Sequence, residues 1–145
     1  MANNSSNSQQ IEAPASEVAQ VLVDLEKYPT WSSAIKSVEV SERDGSGRPT
    51  KATVKIEAGV LKDRATLNYD YSDFPNSISF SLEEAELMTE MTGKYSIEDN
   101  GDDTTKVTYE LNVRVALPVP EMMRKKQELA TIDAALAQLK KKFEG

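Results

Sequence analysis

Asp63 is the residue whose type and position most invite chemistry. In the stretch LKDRATLNYDY, residues Leu61, Asp63, Ala65, Leu67, Tyr69 and Tyr71 share one side of an alternating pattern, so a carboxylate falls in phase with apolar side chains. Such a group would be an acid or base with a raised pKa, or an anchor for a polar part of a ligand. The alternative is a carboxylate near the strand end, at a cavity mouth or paired with an Arg or Lys. Tyr95 and Tyr109 fall on the apolar side of two later alternating runs. Each buried hydroxyl needs a partner, at ~1–3 kcal/mol if it has none. A ligand with a few polar atoms would supply one, and so would a backbone carbonyl or a bound water. Asp63 with Tyr69, Tyr95 or Tyr109 is the best acid/base pair the chain offers.

The rest of the composition narrows the chemistry. There is no His and no Cys among the 145 residues, which excludes Ser-His-Asp and Cys-His catalysis, disulfides and most zinc or iron sites. Glu83, Glu84, Glu86 and Glu90 lack the Asp/Asn/Gly loop pattern of a calcium site and read as a solvated loop rim. No metal and no cofactor is expected. A net charge of −7 disfavours nucleic acid and anionic membrane surfaces as partners. Neither a secretory leader nor an apolar run of membrane-spanning length is visible, so a cytoplasmic location is expected.

The elements that must position these residues follow from periodicity. A weakly alternating first strand is expected within Ser6 to Glu12, with residues 1–5 as a flexible tail. Val18, Val21, Leu22 and Leu25 recur at helical spacing and predict a helix over 15–26, stopped by Pro29. From Ile35 the period is two for about eighty residues, through Val54, Ile56, Phe80 and Leu111. Turn formers divide that stretch at 43–49, at Ala58-Gly59 and at 99–102, which predicts an antiparallel meander. The phase slips over Glu83 to Met91, where a bulge or loop is expected. After Pro118 and Pro120 a long helix carries Met122, Leu129, Ile132, Leu136, Leu139 and Phe143 as one stripe. Its basic residues Arg124 to Lys126 and Lys140 to Lys142 are accounted for by solvation and, at the end, by the helix dipole.

A sheet with one apolar face must be covered, and the long helix is the element large enough to do it. The whole chain is read as a single α+β domain over 1–145. A strongly curved antiparallel sheet of about seven strands wraps around the C-terminal helix, with one or two short helices after the first strand.

The segments IEAPASEVAQVLVDLEKYPTW, GVLKDRATLNYDYS, GKYSIEDNGDDTTKVTYEL and LPVPEMMRKK, with the final IDAALAQLKKKFE, resemble the START-related helix-grip (SRPBCC) superfamily. They are similar in particular to its bacterial branch of polyketide cyclase/dehydrase and lipid-transport proteins. The resemblance implies an internal cavity for an apolar ligand between the gripped helix and the sheet. On this chain that cavity would be lined by Val54, Ile56, Leu67, Phe80 and Leu111, by Tyr69, Tyr71, Tyr95 and Tyr109, and by Met122 and Leu129 from the helix. Trp31 would close one end together with Tyr28, and Asp63 would be the polar member. Met88, Met91, Met122 and Met123 line the entrance or fill gaps in the core.

Three functions are weighed. The first is binding or transport of a small hydrophobic molecule such as a lipid, polyketide or isoprenoid. The second is a cofactor-independent cyclase or dehydratase using Asp63. The third is a protein interaction module presenting Leu87, Met88 and Met91.

Overall fold

A computed structural model describes residues 5–58, 61–116 and 118–144. Seven strands form one antiparallel sheet: β1 (Ser5–Ile11), β2 (Ile35–Arg43), β3 (Pro49–Ala58), β4 (Leu61–Asp70), β5 (Ser77–Ala85), β6 (Met88–Asp99) and β7 (Thr105–Val115). Their order across the sheet is β1-β7-β6-β5-β4-β3-β2. Consecutive strands from β2 to β7 are neighbours, as short turns demand, and only β1 reaches its partner by a long connection. Two helices complete the fold, α1 (Ala15–Val23) and the long α2 (Glu121–Glu144), which lies against β1 and β7. The sheet curves around α2, giving the helix-grip architecture. No helix among the described residues is long and apolar enough to cross a membrane.

Alternation decides which side chains meet α2. On β3, Val54 and Ile56 are buried, and Ala65 and Leu67 on β4 and Val107, Tyr109 and Leu111 on β7 join the same core. Two turns need glycine, because Gly47 and Gly101 hold φ at +84° and +86°, a region costly for side-chain-bearing residues. Gly93 is required for a different reason. It pairs with Phe80, whose ring occupies the space a side chain would take, and a Cβ there would stand 2.1 Å from the Phe80 ring. Gly59 of the expected Ala58-Gly59 reversal and residues 1–4 of the expected tail lie outside the described residues, whereas Ser5, placed in that tail, is the buried first residue of β1.

Three expectations need correction. The predicted helix over 15–26 ends at Val23, because Asp24 (φ −84°, ψ 76°) leaves the helical region. A 3-10 helix (Leu25–Thr30) follows and contains Pro29 rather than ending before it. A short turn of this kind tolerates a residue without an N–H, and Trp31 N–H still closes on the Tyr28 carbonyl at 3.1 Å. The bulge or loop expected over Glu83 to Met91 is present as both, a tight hairpin through Glu86 and Leu87 with register shifts at Thr66/Leu67 and Met88/Glu90.

The second correction concerns the face of α2. Ile132, Leu136 and Leu139 are buried as expected, whereas Met122 and Leu129 are 83% and 39% exposed. Glu128 takes the inward position, at 2% exposure. The phase set by Ile132 runs back four residues to Glu128, so the other neighbour, Leu129, is turned away. The interaction patch expected at Leu87, Met88 and Met91 also dissolves, because Met88 and Met91 are buried in β6 and only Leu87 is exposed.

Candidate apolar ligand site

Two cavities lie beneath α2. The inner one, of about 60 Å³, is enclosed by β2 to β7, the 3-10 helix and α2. Seven of the expected residues line it: Val54, Ile56, Leu67, Tyr69, Phe80, Tyr95 and Tyr109. The outer one, of about 340 Å³, lies under the first half of α2, with the expected Ile56 and Leu111 in its wall. Val113, Val115 and Ala116 extend that wall, and the exposed Leu87, Val119 and Met123 form its rim. Trp31, Asp63, Tyr71, Met122 and Leu129 line neither cavity.

The polar edge of the outer cavity comes from α2, where Arg124, Gln127, Glu128 and Thr131 follow one another at helical spacing. These groups already hold partners. Glu128 accepts from Ser5 Oγ at 2.7 Å, from the Val113 N–H at 2.6 Å and from Arg124 at 2.8 Å. Arg124 also donates to Asn112 at 3.2 Å. Gln127 donates to the Ala58 carbonyl at 3.1 Å, and Thr131 to the Gln127 carbonyl at 2.9 Å. The ion pair is thus part of the wall, and the remaining surface of the cavity is apolar.

The tyrosines divide by position. Tyr95 and Tyr109 stack with ring centroids 4.1 Å apart and planes 12° apart, next to Tyr69, which packs on Phe80 at 5.6 Å. Burial pushes the phenols of Tyr28, Tyr69, Tyr95 and Tyr109 up, so all four remain neutral hydrogen-bonding groups across the physiological range. Tyr28 donates to the Leu22 carbonyl at 2.6 Å. Tyr71 lies outside, donating to the Pro49 carbonyl beneath the Arg48 guanidinium, which is 5.2 Å above its ring. Trp31 leans on Tyr28 at 4.8 Å, and its buried Nε1 has no partner among the described residues.

Asp63 is buried, and its surroundings are backbone. One carboxylate oxygen accepts the N–H groups of Arg64 at 2.8 Å and Glu86 at 3.0 Å; the other accepts those of Leu87 at 3.1 Å and Met88 at 2.9 Å. The side chain therefore clamps the β5–β6 hairpin, and the acid/base pairing with Tyr69, Tyr95 or Tyr109 is not assembled. Replacing Asp63 by Asn puts an NH2 against donors that now meet oxygen. The expected loss is about 2–3 kcal/mol of stability by urea unfolding.

Sequence reasoning missed Glu128, Gln127, Thr131 and Val113. A charge in phase with Ile132 was the available signal for Glu128, and the alternation beyond Leu111 was the signal for Val113.

The sequence pattern that defines the polyketide cyclase / dehydrase and lipid transport family matches residues 4–144. No curated protein matches the chain. Among solved structures, a START superfamily protein from Mycobacterium smegmatis superposes with a TM-score of 0.90 at 27% identity, covering 96% of this chain and 95% of that one. The Zhui aromatase/cyclase from Streptomyces sp. R1128 superposes with a TM-score of 0.73 at 17% identity, over 97% and 94% of the two chains. The di-domain aromatase/cyclase BexL of the BE-7585A biosynthetic pathway gives a TM-score of 0.78 at 20% identity, over 99% of this chain and 47% of that one. At these last two identities the likeness is one of fold.

Proposed function

The chain belongs to the polyketide cyclase / dehydrase and lipid transport family, and from that premise we propose that it binds a small hydrophobic molecule in the outer cavity beneath α2. The observation that carries this reading is the cavity itself. Its volume of about 340 Å³ falls within the ~300–1,000 Å³ typical of small-molecule sites. Its wall of Ile56, Leu111, Val113 and Val115 offers an alkyl or isoprenoid chain about 0.8 kcal/mol for each methylene taken out of water. Its charged groups, Arg124 and Glu128, neutralise one another, which favours an uncharged occupant.

Binding without turnover is the reading favoured over cyclase or dehydratase chemistry. The phenols are held neutral, and Asp63 is committed to the β5–β6 hairpin. Release and uptake would pass the rim of Leu87, Val119 and Met123.

The test is to fill the site from its wall. Val115→Trp is expected to weaken octanol binding by at least about tenfold in calorimetry while the urea midpoint stays close to that of the parent protein. Unchanged affinity in a folded Val115→Trp protein would place the ligand elsewhere.

A further inference from the structure

Ile56, Met91 and Thr131 line both cavities, one residue each from β3, β6 and α2. They form the partition between the outer space of about 340 Å³ and the inner space of about 60 Å³. The three differ in freedom to move. Ile56 is β-branched and stiff, and it is fixed between Ile35 and Asp63 in the register of β3. Thr131 is held by its hydrogen bond to the Gln127 carbonyl. Met91 is unbranched, buried at 8% exposure, and among the described residues makes no side-chain hydrogen bond. A methionine in that setting adapts its shape at low cost.

Beyond the partition stands the stacked pair Tyr95–Tyr109 with Tyr69 beside it. The wall of the inner cavity holds neutral side chains only, and its hydroxyls come from Tyr28, Ser32, Tyr69, Tyr95, Tyr109 and Thr131. An ionised head group would enter it unpaired, at a high desolvation cost. A neutral oxygen would find donors.

We propose that Met91 is the specificity-determining residue of the site. Resting on the binding reading above, this makes the two cavities halves of one bent channel, with the Met91 side chain as its inner wall. Short apolar molecules occupy the outer half. Elongated neutral molecules with a terminal alcohol or ketone displace Met91 and place that oxygen at the Tyr95–Tyr109 pair. Met91 thereby sets the length that is accepted, and the tyrosines set the polarity of the leading end.

The experiment compares octanol, dodecanol and dodecanoate by calorimetry on the parent protein, Met91→Ala, Met91→Leu and Tyr109→Phe. Removing the partition is expected to raise the ratio of dodecanol to octanol affinity about tenfold, the gain from one or two further methylenes buried. Dodecanoate binds more weakly than dodecanol throughout. Met91→Leu keeps the volume but branches the side chain, so it lowers the same affinity ratio, and it carries the test if Met91→Ala fails to fold. Tyr109→Phe weakens dodecanol selectively. Equal gains for octanol and dodecanol in Met91→Ala, or no length dependence in either Met91 variant, would overturn the role of Met91 while leaving the outer site intact. Absence of binding by both alcohols to the parent protein would overturn the site and this inference together.

Discussion

Replacing Glu128 by alanine is expected to lower stability by about 3–5 kcal/mol and the melting temperature by about 10 °C or more. The carboxylate is 2% exposed and holds together three elements: Ser5 of β1, the Val113 N–H of β7 and Arg124 one turn earlier on α2. Truncation leaves the Arg124 guanidinium, whose side chain is 11% exposed, without its nearest counter-charge. It also strips the Val113 N–H of its acceptor. The cost is chiefly that of the stranded groups, since replacing both members of a buried pair with apolar side chains is often neutral. Glu128→Leu combined with Arg124→Met is therefore expected to recover much of the loss. Thermal and urea unfolding of the single and double variants check this. A single Glu128→Ala change costing less than about 1 kcal/mol would show that the network contributes little.

Alkaline unfolding is the second large effect. Burial raises the phenols of Tyr28, Tyr69, Tyr95 and Tyr109 in the folded protein, and Tyr71, half-buried, is pushed up to about 12. The unfolded chain titrates near the ordinary phenol value of ~10. Below that pH both states keep the proton and nothing changes. Above it the unfolded state loses protons that the folded state retains, so stability falls as pH rises, by about 1.4 kcal/mol per pH unit for each fully buried phenol. Tyr95 and Tyr109, the two buried tyrosines, together remove about 3 kcal/mol per unit, the partly buried Tyr28 and Tyr69 add to that, and Tyr71 stops contributing above about 12. A domain with the usual ~5–15 kcal/mol reserve should unfold one to a few units above pH 10. Phenolate absorbance and far-ultraviolet circular dichroism should therefore change in one cooperative step. Gradual ionisation near pH 10 with the structure retained would contradict the burial of these hydroxyls.

How much of this was legible before the structure depends on the kind of signal each residue carries. The sheet was readable because a period of two marks every strand from Val38 to Val113, and the turn residues at 44–48 and 99–102 fix where pairing reverses. That pattern also identified Val54, Ile56, Leu67, Phe80, Tyr95 and Tyr109 as inward-facing, and they do face the cavities. For Asp63 the alternation showed a carboxylate in phase with the apolar face and left open burial, a cavity mouth or an Arg or Lys partner; it is buried, and its partners are backbone N–H groups of Arg64, Glu86, Leu87 and Met88, which have no side-chain signature in a sequence.

On α2 the stripe was right where the helix touches the sheet, at Ile132, Leu136 and Leu139, and wrong where it stands over open space. With no packed surface to reward an apolar side chain, the first half of the helix carries Arg124, Gln127, Glu128 and Thr131 inward, and Met122 and Leu129 are left outside. A charged residue in phase with a core looks like a surface residue until its partners on β1 and β7 are known. Cavity volume depends on the stand-off of α2 from the sheet, and no local periodicity encodes that distance.

Side-chain methyl resonances followed by nuclear magnetic resonance during titration with octanol test the central claim most directly. The expected result is a saturable set of shifts confined to Ile56, Leu111, Val113, Val115 and Met91, with the methyls of Val21 and Val23 by the Arg43–Arg48 concavity unmoved. Shifts at Val21 and Val23 alone, or none anywhere at saturating octanol, would mean that the space beneath α2 is a packing defect and not a binding site.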